Sequence, residues 1–216
     1  MTRAVLWDLD GTLLDSEQYH WRAWQETMAA EGIALTHQQF LETFGLRNDE
    51  ILPRWLGSST STERIGRVAR AKEMLYRRLL QEGDSAGLPG ATEWVRRLER
   101  EGWRQAIASS APRENVEVAL EVLKLAACFD ALVSAEDVTI GKPDPQVFLT
   151  AAQRLNTEPS CCIVIEDSPL GIEAARRAGM RSIGVSRNGP LVADLAVSSL
   201  ADLPGGAFVS LLGAKR

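Results

Sequence analysis

Short apolar runs alternate with amphipathic helical patterns over most of the chain. The apolar runs lie at Ala4–Trp7, 105–108, Ala131–Val133, 162–165 and 182–185. Continuous apolar runs of this kind are typical of strands that are covered on both faces of a sheet. Helical periodicity occupies three intervals between them, 91–101, 114–125 and 171–178. Gly102 and Gly179 follow two of these helices, where a C-terminal stop signal is expected. The alternation predicts an α/β fold with a doubly wound parallel sheet.

The interval 16–82 breaks this alternation, because it carries helical periodicity and no strand pattern. Trp21, Trp24 and Met28 recur at helical spacing and predict a buried stripe. Capping-box spacing predicts helix starts at three pairs, namely Asp15 with Gln18, Thr36 with Gln39 and Thr60 with Glu63. A glycine- and proline-rich hinge or linker follows at 83–90. We therefore predict a core formed by 1–15 and 88–216, with an all-helical insertion and its hinges at 16–87.

Composition is that of one large globular domain, or of a core with an insertion. The chain has 216 residues, of which 45% are hydrophobic and 25% are charged. Its formal net charge of −5 argues against nucleic acid as the main partner, since phosphate-backbone binding needs a basic surface, but leaves a small phosphate ester open. No run approaches the ~18 apolar residues of a membrane span. Cys128, Cys161 and Cys162 are expected to be buried free thiols, which favours a reducing compartment, and without a signal-peptide pattern we expect a cytoplasmic protein.

Polar side chains follow four of the predicted strands at the point where each strand ends. In a parallel sheet, ligands bind outside the carboxyl ends of the strands, so these residues are candidates for one site: Asp8 and Asp10, Ser109 and Ser110, Lys142 in the 141–145 loop, and Glu166 with Asp167. Converging carboxylates repel one another unless a cation lies among them. An all-oxygen set suits Mg²⁺.

This arrangement predicts phosphoryl transfer, in which catalysis consists mostly of positioning and charge neutralisation. Asp8 would attack phosphorus, and Asp10 would protonate the leaving oxygen and then deprotonate water. Gly11 would allow a tight turn and offer amide donors, while Ser109 and Lys142 would contact the phosphoryl oxygens. Each residue alone has a plain structural alternative, such as a helix cap, a turn hydroxyl or a solvated lysine. Their common location at strand ends favours a site.

The segment 8–16, Asp-Leu-Asp-Gly-Thr-Leu-Leu-Asp-Ser, resembles the first signature of the haloacid dehalogenase-like hydrolases. Ser109 resembles the second signature, Lys142 the third, and 166–171 the fourth, so that the resemblance covers essentially the whole chain. It implies Mg²⁺ and an aspartyl-phosphate on Asp8. It also implies metal ligation by Asp8, the Asp10 carbonyl and Asp167, with Glu166 in or beside the coordination shell.

The helical insertion is similar to the cap of the subgroup that includes β-phosphoglucomutases and sugar-phosphate phosphatases. Residues 19–24 and the pair Lys72 and Tyr76 resemble the mutases. The mutases carry Gly-x-x-Arg, however, whereas here Arg47 stands one place earlier after Gly45, as in hexose- and hexitol-phosphate phosphatases. The segment 110–113, Ser-Ala-Pro-Arg, also lacks the Ser, Lys and Asn contacts of the mutases.

We therefore predict a monomeric phosphatase for a small sugar or polyol phosphate, with β-phosphoglucomutase as the alternative. The predicted substrate contacts are Gly11, His20, Arg47, Lys72 and Ser110, although His20 could instead be a half-buried, hydrogen-bonded histidine. A non-enzymatic phospho-acceptor switch is a third possibility. Such switches lack a second acid two residues after the acceptor, and they lack a cap.

Overall fold

The computed structural model describes residues 2–186, 189 and 191–213, and within them six strands form one parallel sheet. The strands are β1 (Ala4–Trp7), β2 (Arg104–Ala108), β3 (Ala131–Val133), β4 (Cys162–Glu166), β5 (Arg181–Val185) and β6 (Leu195–Val197). Their order is β3-β2-β1-β4-β5-β6, and β1 pairs with both β2 and β4. The predicted doubly wound parallel sheet is confirmed. The short edge strand β6 was not predicted from the sequence.

The insertion, Glu17–Glu82, consists of the first four of the five helices that lie between β1 and β2. They are α1 (Glu17–Ala30), α2 (His37–Leu41), α3 (Asn48–Leu56) and α4 (Thr62–Glu82). Trp24 and Met28 of the predicted stripe are buried here together with Phe40, Leu52 and Val68, while Trp21 packs at the edge of this cluster. The insertion therefore has a hydrophobic core of its own.

Five further helices cover the two faces of the sheet. They are α5 (Ala91–Arg100), α6 (Arg113–Leu123), α7 (Gln146–Arg154), α8 (Pro169–Arg177) and α9 (Ala207–Gly213). Alternate strand residues point to opposite faces: Val5 and Trp7 face the cluster built with α5, α6 and α9, and Leu6 faces the cluster built with α7 and α8. None of the helices in the described residues is sufficiently long and apolar to cross a membrane.

The two chain segments that join the sheet to the insertion run side by side. Leu14 forms an antiparallel bridge with Gly87, and the Leu88 amide donates to the Leu13 carbonyl at 2.9 Å. Both connections therefore leave the sheet at one point, which is the geometry of a hinge. The domain boundaries predicted above, 1–15 with 88–216 and 16–87, stay a prediction.

Local details of the sequence prediction were only partly right. The capping box of Thr36 with Gln39 is confirmed. The two other predicted caps were wrong by one residue, since Ser16 precedes α1 and the Ser61 side chain caps α4. The Thr60 hydroxyl instead donates to the Leu56 carbonyl at the end of α3. The three cysteines are free as expected, but only Cys162 is fully buried.

Candidate active site

The carboxyl edge of the sheet brings the predicted polar residues into one small cleft. The Asp8 amide continues the β1 ladder by donating to the Ile165 carbonyl at 3.0 Å, and the Ser109 amide donates to the Val133 carbonyl at 3.0 Å. Each side chain is thus held directly where its strand ends. The cleft is lined by Asp8, Asp10, Ser109, Ser110, Lys142, Glu166 and Asp167.

Lys142 lies between two buried carboxylates. Its Nζ donates to Asp8 Oδ1 at 2.5 Å and to Glu166 Oε1 at 2.6 Å. Burial opposes the charged ammonium, but the two carboxylates outweigh that effect and raise the pKa of Lys142. The lysine is therefore a fixed positive charge beside Asp8.

Glu166 anchors this lysine and the loop that follows β4. Its Oε2 accepts hydrogen bonds from the Ser168 amide at 2.8 Å and from the Ser168 hydroxyl at 2.9 Å, so both carboxylate oxygens already have partners. A Cβ at Gly171 would lie 1.8 Å from Glu166 Oε1. The last glycine of the 166–171 motif therefore leaves room for the glutamate.

The carboxylates in this cleft form a site that suits a cation. Asp8, Glu166 and Asp167 can offer oxygens that all lie within 4.8 Å of one another. Burial, together with the charge of Glu166, raises the pKa of Asp8 to about 8 despite Lys142, and it raises the pKa of Asp167 well above its usual value. A divalent ion would relieve this repulsion. The all-oxygen donor set fits Mg²⁺.

Gly11 contributes to the site through its missing side chain. Its φ is +83°, and a Cβ there would lie 2.1 Å from Asp167 Oδ2. The expectation that its amide is a free donor for the substrate was wrong, because this N–H donates to the Leu14 carbonyl at 2.9 Å. The N–H of Gly11 is used in the hydrogen bond that closes the loop after β1. A glycine is required at this position because Asp167 approaches the backbone closely.

Ser109 is buried and lines the cleft. Its Oγ accepts a hydrogen bond from the Ala111 amide at 3.0 Å. That bond uses a lone pair and leaves the O–H hydrogen for a second partner. The geometry is therefore compatible with the predicted contact to a phosphoryl oxygen.

A buried chain of hydrogen bonds, which we call the relay, connects Asp10 through His20 and Lys72 to Glu73. Lys72 Nζ lies 2.9 Å from both His20 Nδ1 and Glu73 Oε1. An ammonium can only donate, so Nδ1 accepts and the proton of a neutral His20 is on Nε2, which donates to Asp10 Oδ1 at 3.2 Å. The predicted residues His20 and Lys72 therefore meet Asp10.

The relay sets the protonation of its own members. Burial and the charge of Lys72 lower the pKa of His20, which keeps the ring neutral. For Asp10, burial favours the neutral acid, but the hydrogen bond from His20 and the positive charge of Lys72 outweigh this effect and lower the pKa of Asp10. Tyr76 supports the relay, since its ring stacks on His20 with centroids 3.9 Å apart. These contacts therefore favour the carboxylate form of Asp10.

Glu73 is the functional candidate that sequence reasoning missed. Besides Lys72, it accepts hydrogen bonds from Asn48 of α3 at 2.7 Å and from Asn115 of α6 at 2.6 Å. Lys72 falls on the buried stripe of α4, and a buried ammonium needs a partner. The need for such a partner could have identified the neighbouring Glu73 from the sequence.

A second cavity of about 50 Å³ adjoins Asp10, between the insertion and the sheet. Trp24, Phe40, Phe44 and Ile51 supply its apolar wall, and its polar groups include Thr43 and Asn48, the relay residues His20, Lys72 and Glu73, and Ser110. Lys72 is the ammonium of this lining, and Glu73 neutralises it. Asp10 also lines this cavity, so the charged groups of the lining are two carboxylates and one ammonium, and the ammonium is already paired.

Arg47, predicted to contact the substrate, is directed at the sheet domain instead. One guanidinium nitrogen, Nη1, donates to the Ala135 and Val138 carbonyls, each at 3.0 Å, and Nε donates to Asp49 at 3.1 Å. Arg47 is not among the residues that line either cavity described above. These contacts hold the insertion against the core.

The match to known proteins agrees with this geometry. The sequence profile of the haloacid dehalogenase-like hydrolase family matches residues 5–185. The chain belongs to that family of enzymes. It is similar to hexitol phosphatase B of Escherichia coli (35% identity, 93% of each chain) and to β-phosphoglucomutase of Bacillus subtilis (33% identity, 93% of this chain and 91% of the relative).

A solved structure extends the comparison to three dimensions. The crystal structure of CbbY from Rhodobacter sphaeroides in complex with xylulose 1,5-bisphosphate superimposes with a TM-score of 0.86 at 30% identity. The match covers 96% of this chain and 99% of CbbY. The predicted membership of the subgroup around β-phosphoglucomutase and the sugar-phosphate phosphatases is therefore confirmed.

Proposed function

We propose that this chain is a Mg²⁺-dependent phosphatase of small sugar or polyol phosphates that acts through an aspartyl-phosphate on Asp8. The observation that carries the proposal is the different setting of two neighbouring aspartates. Asp8 lies against the Lys142 ammonium, 2.5 Å away, and Asp10 lies against the neutral His20 of the insertion. Two carboxylates in different environments are suited to different roles, nucleophile and acid–base.

In the first step, an Asp8 oxygen forms a bond to phosphorus and the ester P–O bond breaks. The leaving oxygen takes its proton from Asp10. In the second step, water attacks the phosphorus of the aspartyl-phosphate, Asp10 takes the water proton, and Asp8 is released with inorganic phosphate. Lys142 neutralises charge on the phosphoryl oxygens throughout, and Ser109 donates a hydrogen bond to one of them.

The proton on Asp10 belongs to the substrate complex. His20 and Lys72 favour its carboxylate form in this structure. A phosphate dianion beside it would raise its pKa, because like charges disfavour ionisation. When bound, Mg²⁺ would supply further neutralisation of phosphoryl charge. Asp8, Asp167 and the Asp10 carbonyl would hold it, with Glu166 beside them.

The second candidate is a β-phosphoglucomutase, and the 33% identity to the Bacillus subtilis enzyme favours it. A mutase must hold a second phosphate away from the reacting centre, which requires cationic contacts. Here Lys72 is paired with Glu73, and Arg47 donates to backbone carbonyls. A cavity lined by Asp10 and by a lysine that is already paired suits the hydroxyl groups of a monophosphate ester better than a second phosphate group.

One experiment separates these candidates. Sugar and polyol phosphates are incubated with Mg²⁺, and both inorganic phosphate and isomerised product are measured. We expect β-glucose 1-phosphate to give mainly free phosphate, with little glucose 6-phosphate even with a bisphosphate primer. Rapid, primer-dependent formation of glucose 6-phosphate would establish the mutase instead. A single turnover without further phosphate release would favour the phospho-acceptor switch.

The setting of the enzyme is also part of the proposal. The free thiols of Cys128, Cys161 and Cys162 support a reducing compartment, and we place the enzyme in the cytoplasm. Its action as a monomer stays a prediction.

A further inference from the structure

Arg47 connects the insertion to one particular loop of the core. It precedes α3, and its guanidinium reaches the Ala135 and Val138 carbonyls, each at 3.0 Å. We call these two hydrogen bonds the clasp. Bonds from an ionised donor are stronger than neutral ones, and the planar guanidinium presents several donors at fixed angles.

The clasped loop is the one that carries Lys142. It joins β3 to α7, and its first turn is fixed to the core because Asp137 accepts hydrogen bonds from the Ser134 amide and from Arg113. Further along, Val138 accepts from Arg47, and Lys142 follows four residues later.

The insertion also packs against this loop next to Lys142 itself. A Cβ at Gly141 would lie 2.9 Å from Arg47 Cδ and 2.9 Å from Glu50 Oε1. The insertion therefore meets the loop at Ala135, at Val138 and at Gly141. Because packed interiors deform little, a displacement of the insertion would release both the clasp and this packing.

We propose that Arg47 is a positioning residue: its clasp couples closure of the insertion over the cleft to placement of Lys142 between Asp8 and Glu166. This inference rests on the proposed function only where hydrolysis is the readout. It assigns Arg47 a role independent of the leaving group, in contrast to the substrate contact predicted from the sequence. The clasp exists only while the insertion is closed, so its loss shifts the population towards open forms.

The kinetic test compares two esters, a hexitol monophosphate and a small aryl phosphate. Arg47→Ala should lower kcat/KM by the same factor for both, on the order of tenfold to a hundredfold, as expected for loss of hydrogen bonds from a charged donor. The loss should fall mainly on kcat, because Lys142 acts on the transferring phosphoryl group. Arg47→Lys, which keeps the charge but not the planar donor set, should recover part of the activity.

Arg54→Ala is the matched control, since Arg54 is exposed on α3, the helix that Arg47 precedes. It should leave kcat and KM for both esters unchanged. A loss of kcat/KM in Arg47→Ala that is confined to the hexitol phosphate would overturn the inference, because Arg47 would then contact the leaving group. A loss confined to KM would overturn it as well.

A second measurement does not depend on turnover. Small-angle X-ray scattering with Mg²⁺ and inorganic phosphate should give a larger radius of gyration for Arg47→Ala than for the natural chain or Arg54→Ala. Identical scattering curves would contradict the clasp. If neither ester is hydrolysed by the natural chain, the proposed function fails while the scattering result still decides the inference.

Discussion

The core and the insertion both bury charged groups at the cleft, but they balance them differently. On the core side, Asp8, Glu166 and Asp167 share one ammonium, Lys142, and two of these carboxyls have raised pKa values. On the insertion side, Lys72 is matched by Glu73. The excess negative charge on the core side suits the binding of a metal ion and of an electrophilic phosphorus. The balanced charge on the insertion side suits the binding of neutral hydroxyl groups. Under the proposed function, the core would carry out the phosphoryl transfer and the insertion would hold the leaving group.

Removal of the proposed nucleophilic charge on the core side should have the largest effect. Asp8→Asn keeps the side-chain shape, yet it should lower kcat by more than ~10³-fold, since an amide oxygen cannot replace the attacking carboxylate. Phosphate release at saturating substrate measures the effect. Thermal unfolding serves as the control that the fold is intact. More than about a tenth of the natural turnover in this variant would rule out the covalent mechanism.

The balanced charges of the insertion can be tested by removing one partner. Glu73→Ala leaves Lys72 buried without its carboxylate, which should cost about 3–5 kcal/mol of unfolding free energy. In the double variant Lys72→Met, Glu73→Gln neither charge remains, and stability should return to within about 1–2 kcal/mol of the natural chain. Urea denaturation measures both. Equal losses in the single and double variants would show that the two charges are not coupled.

The excess charge of the core predicts a pH-dependent stability without metal. The pKa of Asp8 rises from 3.8 to about 8 on folding. A group with a raised folded pKa contributes stability that is complete below its unfolded pKa and is lost as pH rises through the folded value. The lowered pKa of His20 acts in the opposite direction up to about pH 6.5. In chelator, the protein should therefore lose thermal stability as pH rises from about 6.5 to about 8, and Mg²⁺ should restore it at pH 8.

Asp167→Asn sharpens this test, because it removes one repelling carboxylate. In chelator at pH 8 its melting temperature should exceed that of the natural chain by about 2–4 °C, equivalent to roughly 1 kcal/mol in a chain of this size. Asp84→Asn changes an exposed aspartate and should have no such effect. A melting temperature that responds neither to Mg²⁺ nor to Asp167→Asn would mean that these carboxylates do not form a cation site.

Local sequence patterns were sufficient to predict the class of fold and the residues on the core side of the site. Continuous apolar runs mark buried parallel strands, and a parallel sheet gathers the residues after them at one edge. Asp8, Ser109, Lys142 and Asp167 could therefore be placed in one cleft from local pattern alone. The edge strand β6, Leu195–Val197, is an apolar run as short as that of β3, and a run of three apolar residues by itself does not distinguish a strand from a loop.

The contacts made by the side chains of the insertion depend on long-range packing and could not be predicted from local sequence. Arg47 and Glu73 are held by partners far along the chain, Val138 and Asn115, and the amide of Gly11 is used within its own loop. A long charged side chain has many rotamers of similar energy, so that the sequence shows its charge but not its direction. The packing of the insertion against the sheet determines that direction. For Arg47, it therefore determines whether the side chain contacts a substrate or a loop of the core.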